Sequence, residues 1–212
     1  MTSTRLSLYN GANRIIGARS LSSLTENRES RRVLDGVWND GAVDFCLEQG
    51  FWEFSIRTQM MTYDPSITPE FGFKYAYQKP SDYIRTYGIC SDESLLTPIT
   101  RYTDENNVWY TDYDTIYVQY VSNDDSYGLN YSIWNETFVN FVQLFLASQV
   151  CERLTQSASK TDRIEKKYEA ALKRARNMSA MNKPARFMPM GTWSSARMFG
   201  RFGGINAVLP ST

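Results

Sequence analysis

The sequence of 212 residues contains no histidine and only three cysteines. Without histidine there is no nucleophile system that uses an imidazole base, no histidine metal ligand and no imidazole pH switch. Cys46, Cys90 and Cys151 are odd in number and widely spaced, and none belongs to a CxxC motif. This pattern favours buried thiols in a reducing compartment over a disulfide framework.

Long apolar runs are also missing. The longest, residues 138–150, is interrupted by polar residues and is shorter than the roughly 18 residues that a membrane span needs. The first residues contain no apolar core of a signal peptide, so we expect no secretory leader. Hydrophobic residues make up 42% of the chain and aromatic residues 14%, which is enough for a substantial core in about one domain.

The net charge is zero, but the charges are distributed unevenly. Residues 60–150 contain 4 basic and 12 acidic side chains, a net charge of −8, whereas residues 151–212 contain 12 basic and 4 acidic side chains, a net charge of +8. Surfaces of opposite sign suit head-to-tail contact between copies, or docking between two different partners. The alternative is that the charge merely follows helix and loop composition.

The N-terminal part has a helical pattern. Apolar spacing predicts a helix over residues 5–17 that Gly17 ends. Ser23 and Glu26 match a capping box, with Ser23 as N-cap, and predict a second helix over residues 25–49. Two glycines inside that second segment are unfavourable to a helix.

The pattern then changes to the period of two that is typical of strands. Ten of the fourteen tyrosines lie between Tyr63 and Tyr120, and β-branched residues accompany them. Strands are predicted over residues 52–58, 71–77, 83–90, 99–102, 107–110 and 115–121.

Helical spacing returns after Ser132, the predicted N-cap of a helix buried on several sides. A last helix is predicted over residues 161–180. Residues 183–212 are apolar, basic and irregular, which favours an extended arm on another protein surface over one folded back on its own domain.

The predicted fold class is therefore α+β, an α-helical bundle from the N- and C-terminal helices with an antiparallel β-rich insertion and an extended C-terminal arm. The predicted domains are the bundle, the insertion and the arm, at residues 1–59 with 130–182, 60–129 and 183–212.

Candidate groups for chemistry are few. Glu48 and Glu53 flank an aromatic turn, an arrangement that raises a carboxyl pKa in glycosidases. Aspartates in the predicted turns at residues 112–114 and 124–125 are oxygen ligands suited to a hard cation, although aspartate is also common in turns for backbone reasons. Arg163, Lys166, Lys167, Lys173, Arg174 and Arg176 form a basic helix face that is able to contact phosphates or an acidic neighbour. We predict no enzymatic activity, no metal and no cofactor.

A series of weak motifs runs along almost the whole chain. They comprise residues 13–17 (NRIIG), 20–24 (SLSSL), 46–54 (CLEQGFWEF) with Arg57, 75–85 (YAYQKPSDYIR), 116–121 (IYVQYV), 138–155, 168–175 (YEAALKRA) and 193–197 (WSSAR). Their order and spacing resemble the tail tubular protein A, or head-to-tail adaptor, family of short-tailed bacteriophages. Lys79 departs from the family pattern, which has an apolar residue at that place.

The resemblance implies a structural virion protein without enzymatic activity. Family members form a ring, usually a dodecamer, between the portal and the tail nozzle, where they extend the DNA channel and help genome retention and DNA ejection. The expected partners are the portal protein, a nozzle protein of the tail tubular protein B type and a tail fibre, with DNA passing through the channel without sequence-specific binding. The expected location is the neck or adaptor region of the virion tail, after assembly in the host cytoplasm.

Family analogy suggests that the arm meets the portal or an adjacent adaptor. Aromatic and arginine anchors are typical of interfaces. The predicted interface residues are Phe187, Trp193, Arg197, Phe199, Arg201 and Phe202. Three alternatives remain at this point: a neck or head-completion connector of another tail type, a tail-associated peptidoglycan hydrolase that uses Glu48 or Glu53, and a DNA-binding protein that uses the basic last helix.

Overall fold

The computed structural model describes residues 3–70 and 72–182. Within these residues it contains five α-helices and six β-strands in the predicted α+β arrangement, with antiparallel strands between N- and C-terminal helices. The helices are α1 Arg5–Ile16, α2 Glu29–Asn39, α3 Ala42–Glu48, α4 Glu136–Thr155 and α5 Ala158–Met181. The strands are β1 Ile56–Thr62, β2 Tyr75–Gln78, β3 Tyr83–Cys90, β4 Thr103–Glu105, β5 Val108–Thr111 and β6 Thr115–Ser122.

The predicted first helix is confirmed as α1, and its ends have clear local causes. Thr4 and Ser7 form a reciprocal capping box at the N-terminus. Gly17 has φ 81°, the left-handed conformation that ends a helix, and its N–H donates to Arg14 O.

The predicted second helix over residues 25–49 is wrong at its start and in its middle. Ser23 is not an N-cap, because Glu26 accepts hydrogen bonds from the N–H and the hydroxyl of Ser22, and α2 begins only at Glu29. The helix then breaks at Gly41, whose φ of 88° is incompatible with a continuing right-handed helix, so α2 and α3 are separate.

The predicted strand over residues 52–58 is correct only in its second half. The Trp52 side chain is completely buried in the helical core and its Nε1 donates to Cys46 O. Ser55 donates both its N–H and its hydroxyl to Trp52 O, which closes a 3-10 turn over Glu53–Ser55. Burial of the indole in the helical core thus overrides the alternating pattern, and β1 begins at Ile56.

The strands form two antiparallel three-stranded sheets, with orders β1-β6-β3 and β2-β5-β4. The predicted strand over residues 99–102 is absent from the described structure. Pairing there is limited to a bridge between Cys90 and Pro98, in which Ser91 N donates to Thr97 O and Ile99 N donates to Ile89 O. The neighbouring strand is instead β4, joined to β5 by Asn106 and Asn107, both with positive φ as tight hairpins require.

The helix predicted from Ser132 begins later, because Asn135 is its N-cap and accepts from Phe138 N at 2.9 Å. Helix α4 is buried on several sides as predicted and packs against α1, α2, α3 and α5. It ends at Gln156 in the left-handed conformation, and α5 follows almost at once, three residues earlier than predicted.

Two hydrophobic cores result. We call α1–α5 the helical bundle; its core centres on α4 and includes Trp52 and Val121. We call β1–β6 the β region; its smaller core contains Tyr77, Ile89, Ile99, Trp109, Ile116, Val118 and Tyr120. The described residues belong to one compact unit, within which the domain boundaries given above stay predictions. No helix among the described residues is both long enough and apolar enough to cross a bilayer.

Candidate interaction surfaces

The predicted interface residues of the arm lie outside the described part of the chain. They are Phe187, Trp193, Arg197, Phe199, Arg201 and Phe202. Their role therefore stays a prediction.

The two candidate catalytic carboxylates are both exposed. Glu48 lies in the last turn of α3, and Glu53 lies in the 3-10 turn, where Asn182 Nδ2 donates to its Oε1 at 3.1 Å. A carboxyl whose pKa is raised for acid catalysis needs apolar surroundings. Neither side chain has the buried position on which the hydrolase hypothesis depends.

The candidate cation ligands are dispersed and engaged locally. Asp112 forms an ion pair with Arg101 at 3.1 Å, and Asp124 accepts a hydrogen bond from Ser126 N at 2.8 Å. Among the described residues there is no group of three or more cysteine or carboxylate side chains that could hold a metal ion.

All three cysteines are buried. Burial raises the pKa of the Cys46 thiol well above its usual range, because a thiolate is poorly solvated inside the helical core. Cys46 is therefore not an activated nucleophile.

The basic face of α5 is present and open to solvent. All six predicted cations are exposed, and none of them forms an ion pair within residues 3–70 and 72–182: Arg163, Lys166, Lys167, Lys173, Arg174 and Arg176. Arg176 instead donates to the Gln49 carbonyl at 2.7 Å, which ties α5 to the end of α3.

One side of this face borders a polar groove between α1, α4 and α5, which we call the basic groove. Its volume is about 400 Å³. It is lined by Arg14, Glu136, Thr137, Val139, Asn140, Gln143, Ala171 and Arg174. Exposed guanidinium groups next to amide side chains are suited to binding carboxylates, since arginine donates two parallel hydrogen bonds to them.

A second groove lies beside α3 and is more apolar. Its volume is about 330 Å³, and Val37, Asp40, Gly41, Ala42, Phe45, Phe145 and Gln149 line it. The Phe45 ring stacks on Phe145 with centroids 4.9 Å apart, yet Phe45 remains 41% exposed. A large aromatic side chain held partly in solvent beside a groove is typical of an interaction surface.

Three residues from the motif series, Arg57, Asp82 and Tyr120, meet at the joint between the helical bundle and the β region. Arg57 NH1 lies 2.9 Å from Asp82 Oδ2, and Ser122 Oγ donates to the same oxygen at 2.5 Å. Tyr120 OH donates to Asp82 at 3.2 Å, and the Arg57 guanidinium lies over the ring of Tyr127. Partial burial of Asp82 acts to raise its pKa, but the hydrogen bonds from Ser122 and Arg57 outweigh it and hold the pKa below its usual range.

A second polar cluster links α1 to α2, and sequence reasoning missed it. Arg5 and Arg31 bind the two oxygens of Asp35 at 2.7 and 2.6 Å, and Tyr9 OH donates to Asp35 at 3.0 Å. Burial raises the pKa of Tyr9 strongly, although Arg5 counteracts it. The i,i+4 spacing of Arg31 and Asp35 was the available signal, whereas the contact with Arg5 depends on the tertiary fold.

Lys79, the residue that departs from the family pattern, is buried in the β region. Its ammonium lies 2.5 Å from Asp104 Oδ1 and over the rings of Tyr83 and Trp109, at 4.2 and 5.3 Å from their centroids. The lysine stem thus fills the place of an apolar side chain while its charge has a carboxylate partner.

Comparison with protein-family models and with the sequences of curated proteins gives no match for this chain.

Proposed function

We propose that the chain is a structural virion protein, the head-to-tail adaptor of a short-tailed bacteriophage. Copies of it form a ring, a dodecamer by family analogy, between the portal protein and the tail nozzle protein. The ring extends the DNA channel and contributes to genome retention and ejection. In this proposal the protein assembles in the host cytoplasm and remains in the virion tail.

The observation that carries the proposal is the joint around Asp82. Arg57, Asp82 and Tyr120 come from three motifs of the resemblance, and they are separated by 25 and 38 residues in sequence. The pairing of β6 with both β1 and β3 brings these three motifs together. Their convergence supports the interpretation that the motif series reflects a shared fold in which a helical bundle is fixed to a β region.

The charge distribution supports assembly from many copies. Lys167 and Arg174 of α5 find no ionic partner within the described residues, and a ring subunit needs one surface that fits a different surface of its neighbour. Unpaired charge on a rigid helix supplies attraction and orientation in such a contact.

Electron microscopy of the purified chain mixed with portal rings of the same phage tests the proposal. We expect an added ring of density on the portal, and we expect deletion of residues 183–212 to abolish it while circular dichroism stays that of an α+β protein. The matched control is the full-length variant K166E/K173E, which keeps the arm and loses positive charge on α5 instead. Absence of added density with the full chain contradicts the adaptor proposal, whereas normal attachment of the truncated chain contradicts only the role of the arm.

A further inference from the structure

The two grooves of the helical bundle lie on opposite sides of its central helix. Asn140 and Gln143 of α4 line the basic groove, whereas Phe145 and Gln149 line the groove beside α3. Residues 140 and 149 are nine positions apart, which is roughly 180° around a helix with 3.6 residues per turn. A molecule that occupies one groove therefore leaves the other free.

The basic side presents cations without ionic partners. Arg14 from α1 and Arg174 from α5 both line the groove, and both are exposed. Lys167 lies two turns before Arg174 on the same side of α5. Glu136, in the first turn of α4, marks one end of the groove and pairs with neither arginine in the described structure.

The α3 side presents carboxylates around an apolar centre. We call Asp40, Asp44, Phe45 and Asp125 the α3 surface; all four side chains are exposed. Asn123 Nδ2 donates to Asp44 Oδ1 at 3.2 Å, which places the loop of Asp125 beside α3. None of the three carboxylates forms an ion pair within the part of the chain that the structure describes.

Several carboxylates of the β region, in contrast, have partners within that region. Asp82, Asp104 and Asp112 form ion pairs with cations of the β region itself. Asp64 and Asp92 accept backbone hydrogen bonds in their own loops. These five carboxylates are thus already engaged within the β region.

We propose that the α3 surface of one copy docks into the basic groove of the next copy. Phe45 and its groove supply the apolar centre of this contact, and the pairing of Asp40, Asp44 and Asp125 with Arg14, Lys167 and Arg174 supplies a charged rim. Because the two surfaces differ and lie on opposite sides of α4, each copy uses both, which generates a ring or a filament. This inference rests on the proposed ring assembly and names the faces that form it.

Arginines at the other end of α3 limit the acidic surface. Arg85 NH1 donates to Glu48 O at 3.1 Å, and Arg176 Nε donates to Gln49 O at 2.7 Å. Docking is therefore centred on the α2–α3 turn and not on the C-terminus of α3.

Two charge-reversal variants of the full chain test the contact. R14E/R174E makes the groove acidic, and D40K/D44K makes the α3 surface basic. In sedimentation velocity at low salt and high protein concentration, we expect each variant to associate about 10- to 100-fold more weakly than the wild type, because attraction between close charges becomes repulsion.

Mixing the two variants is the decisive step. The acidic groove of R14E/R174E fits the basic α3 surface of D40K/D44K, and the two unaltered surfaces fit each other, so an equimolar mixture regains association through alternating copies. A zero-length carbodiimide cross-linker should join Lys167 of a ¹⁵N-labelled wild-type copy to Asp40 or Asp44 of an unlabelled one.

The controls change charge equally at other places. K166E/K173E alters the side of α5 away from the groove, and E93K/E105K alters exposed carboxylates of the β region; both should associate as the wild type does. Loss of association in E93K/E105K, or a mixture of reversal variants that fails to associate, overturns the inference. The inference is also overturned if the R14E/R174E variant associates normally but loses salt-dependent binding to duplex DNA. That result would assign the groove to nucleic acid.

The outcome is separable from that of the adaptor proposal. A wild type that shows neither self-association nor cross-links between copies overturns this contact. Portal attachment in the electron microscope is scored independently, and the adaptor proposal does not depend on the cross-link.

Discussion

The helical bundle and the β region differ in what fills and surrounds their cores. Around α4, the rings of Trp52, Phe138 and Phe141 lie within 6.0 Å of one another in an aliphatic setting. In the β region, tyrosine and tryptophan dominate a smaller core, and Lys79–Asp104 and Arg101–Asp112 ion pairs lie at its edge. The bundle is thus stabilised mainly by apolar burial and leaves the cations of α5 without ionic partners in the described structure, whereas the smaller core of the β region has ion pairs directly beside it.

The largest expected effect comes from replacing the tryptophans at the two cores. Trp52→Ala should lower the free energy of unfolding by about 3–5 kcal/mol, because it opens a cavity against Phe138 and removes the donor to Cys46 O. Trp109→Ala should cost less, since the core around this indole is the smaller of the two and offers fewer apolar contacts to lose. Urea denaturation followed by circular dichroism gives both values. A greater loss of free energy of unfolding from Trp109→Ala than from Trp52→Ala would contradict this expected order.

A smaller effect is expected at the joint. Asp82→Ala leaves the hydroxyls of Ser122 and Tyr120 and the Arg57 guanidinium without their acceptor, at a cost of about 2–3 kcal/mol. Asp112→Ala is the matched control, because Asp112 pairs with an arginine that is 72% exposed, and such pairs contribute about 0–1 kcal/mol. Equal losses from the two substitutions would show that the joint is no more than a surface ion pair.

Part of the joint's contribution should depend on pH. The pKa of Asp82 is lower in the folded chain than the ordinary value of about 3.9. The unfolded chain therefore binds the proton more readily, so the stabilisation is complete above pH 3.9 and is lost as the pH falls through the folded pKa. Urea midpoints measured from pH 6 downwards should fall less steeply in Asp82→Asn than in the wild type. Parallel curves would contradict the assignment of this pH dependence to Asp82.

Whether an element of the fold could be predicted depends on whether the residues that determine it are neighbours in the sequence. The end of α1 at Gly17 and the strand β3 were predicted from local patterns, because capping and alternation are encoded in neighbouring residues. The break at Gly41 was missed, since helical apolar spacing continues across it and only the left-handed backbone separates α2 from α3. The 3-10 turn after Trp52 depends on tertiary burial of the indole, which no local pattern encodes.

The candidate surfaces also contain some residues that the sequence identifies and others that only the tertiary fold brings together. The cations of α5 were identified from sequence, because a long helix displays its charges at regular spacing. The contribution of Arg14 to the same groove was not, since it comes from a helix more than a hundred residues away. The Asp82 joint was visible in sequence only as separate motifs, and the fold alone joins Arg57 to Asp82.

The smallest expected effect tests whether the β region needs its buried charge. The side chain of Lys79 is only 7% exposed, but that of its partner Asp104 is 38% exposed and can be hydrated when left alone. Lys79→Leu should therefore stay within about 1 kcal/mol of the wild type, since an apolar side chain replaces the lysine stem beside Tyr83 and Trp109 and no ammonium is buried. Lys79→Ala removes that packing as well and should be clearly less stable than Lys79→Leu when both are measured by urea denaturation. If Lys79→Leu instead loses 3 kcal/mol or more, the ion pair itself holds the β region together. The distinction matters for the comparison of the two regions, because an ion pair replaceable by leucine means that both cores are stabilised by burial.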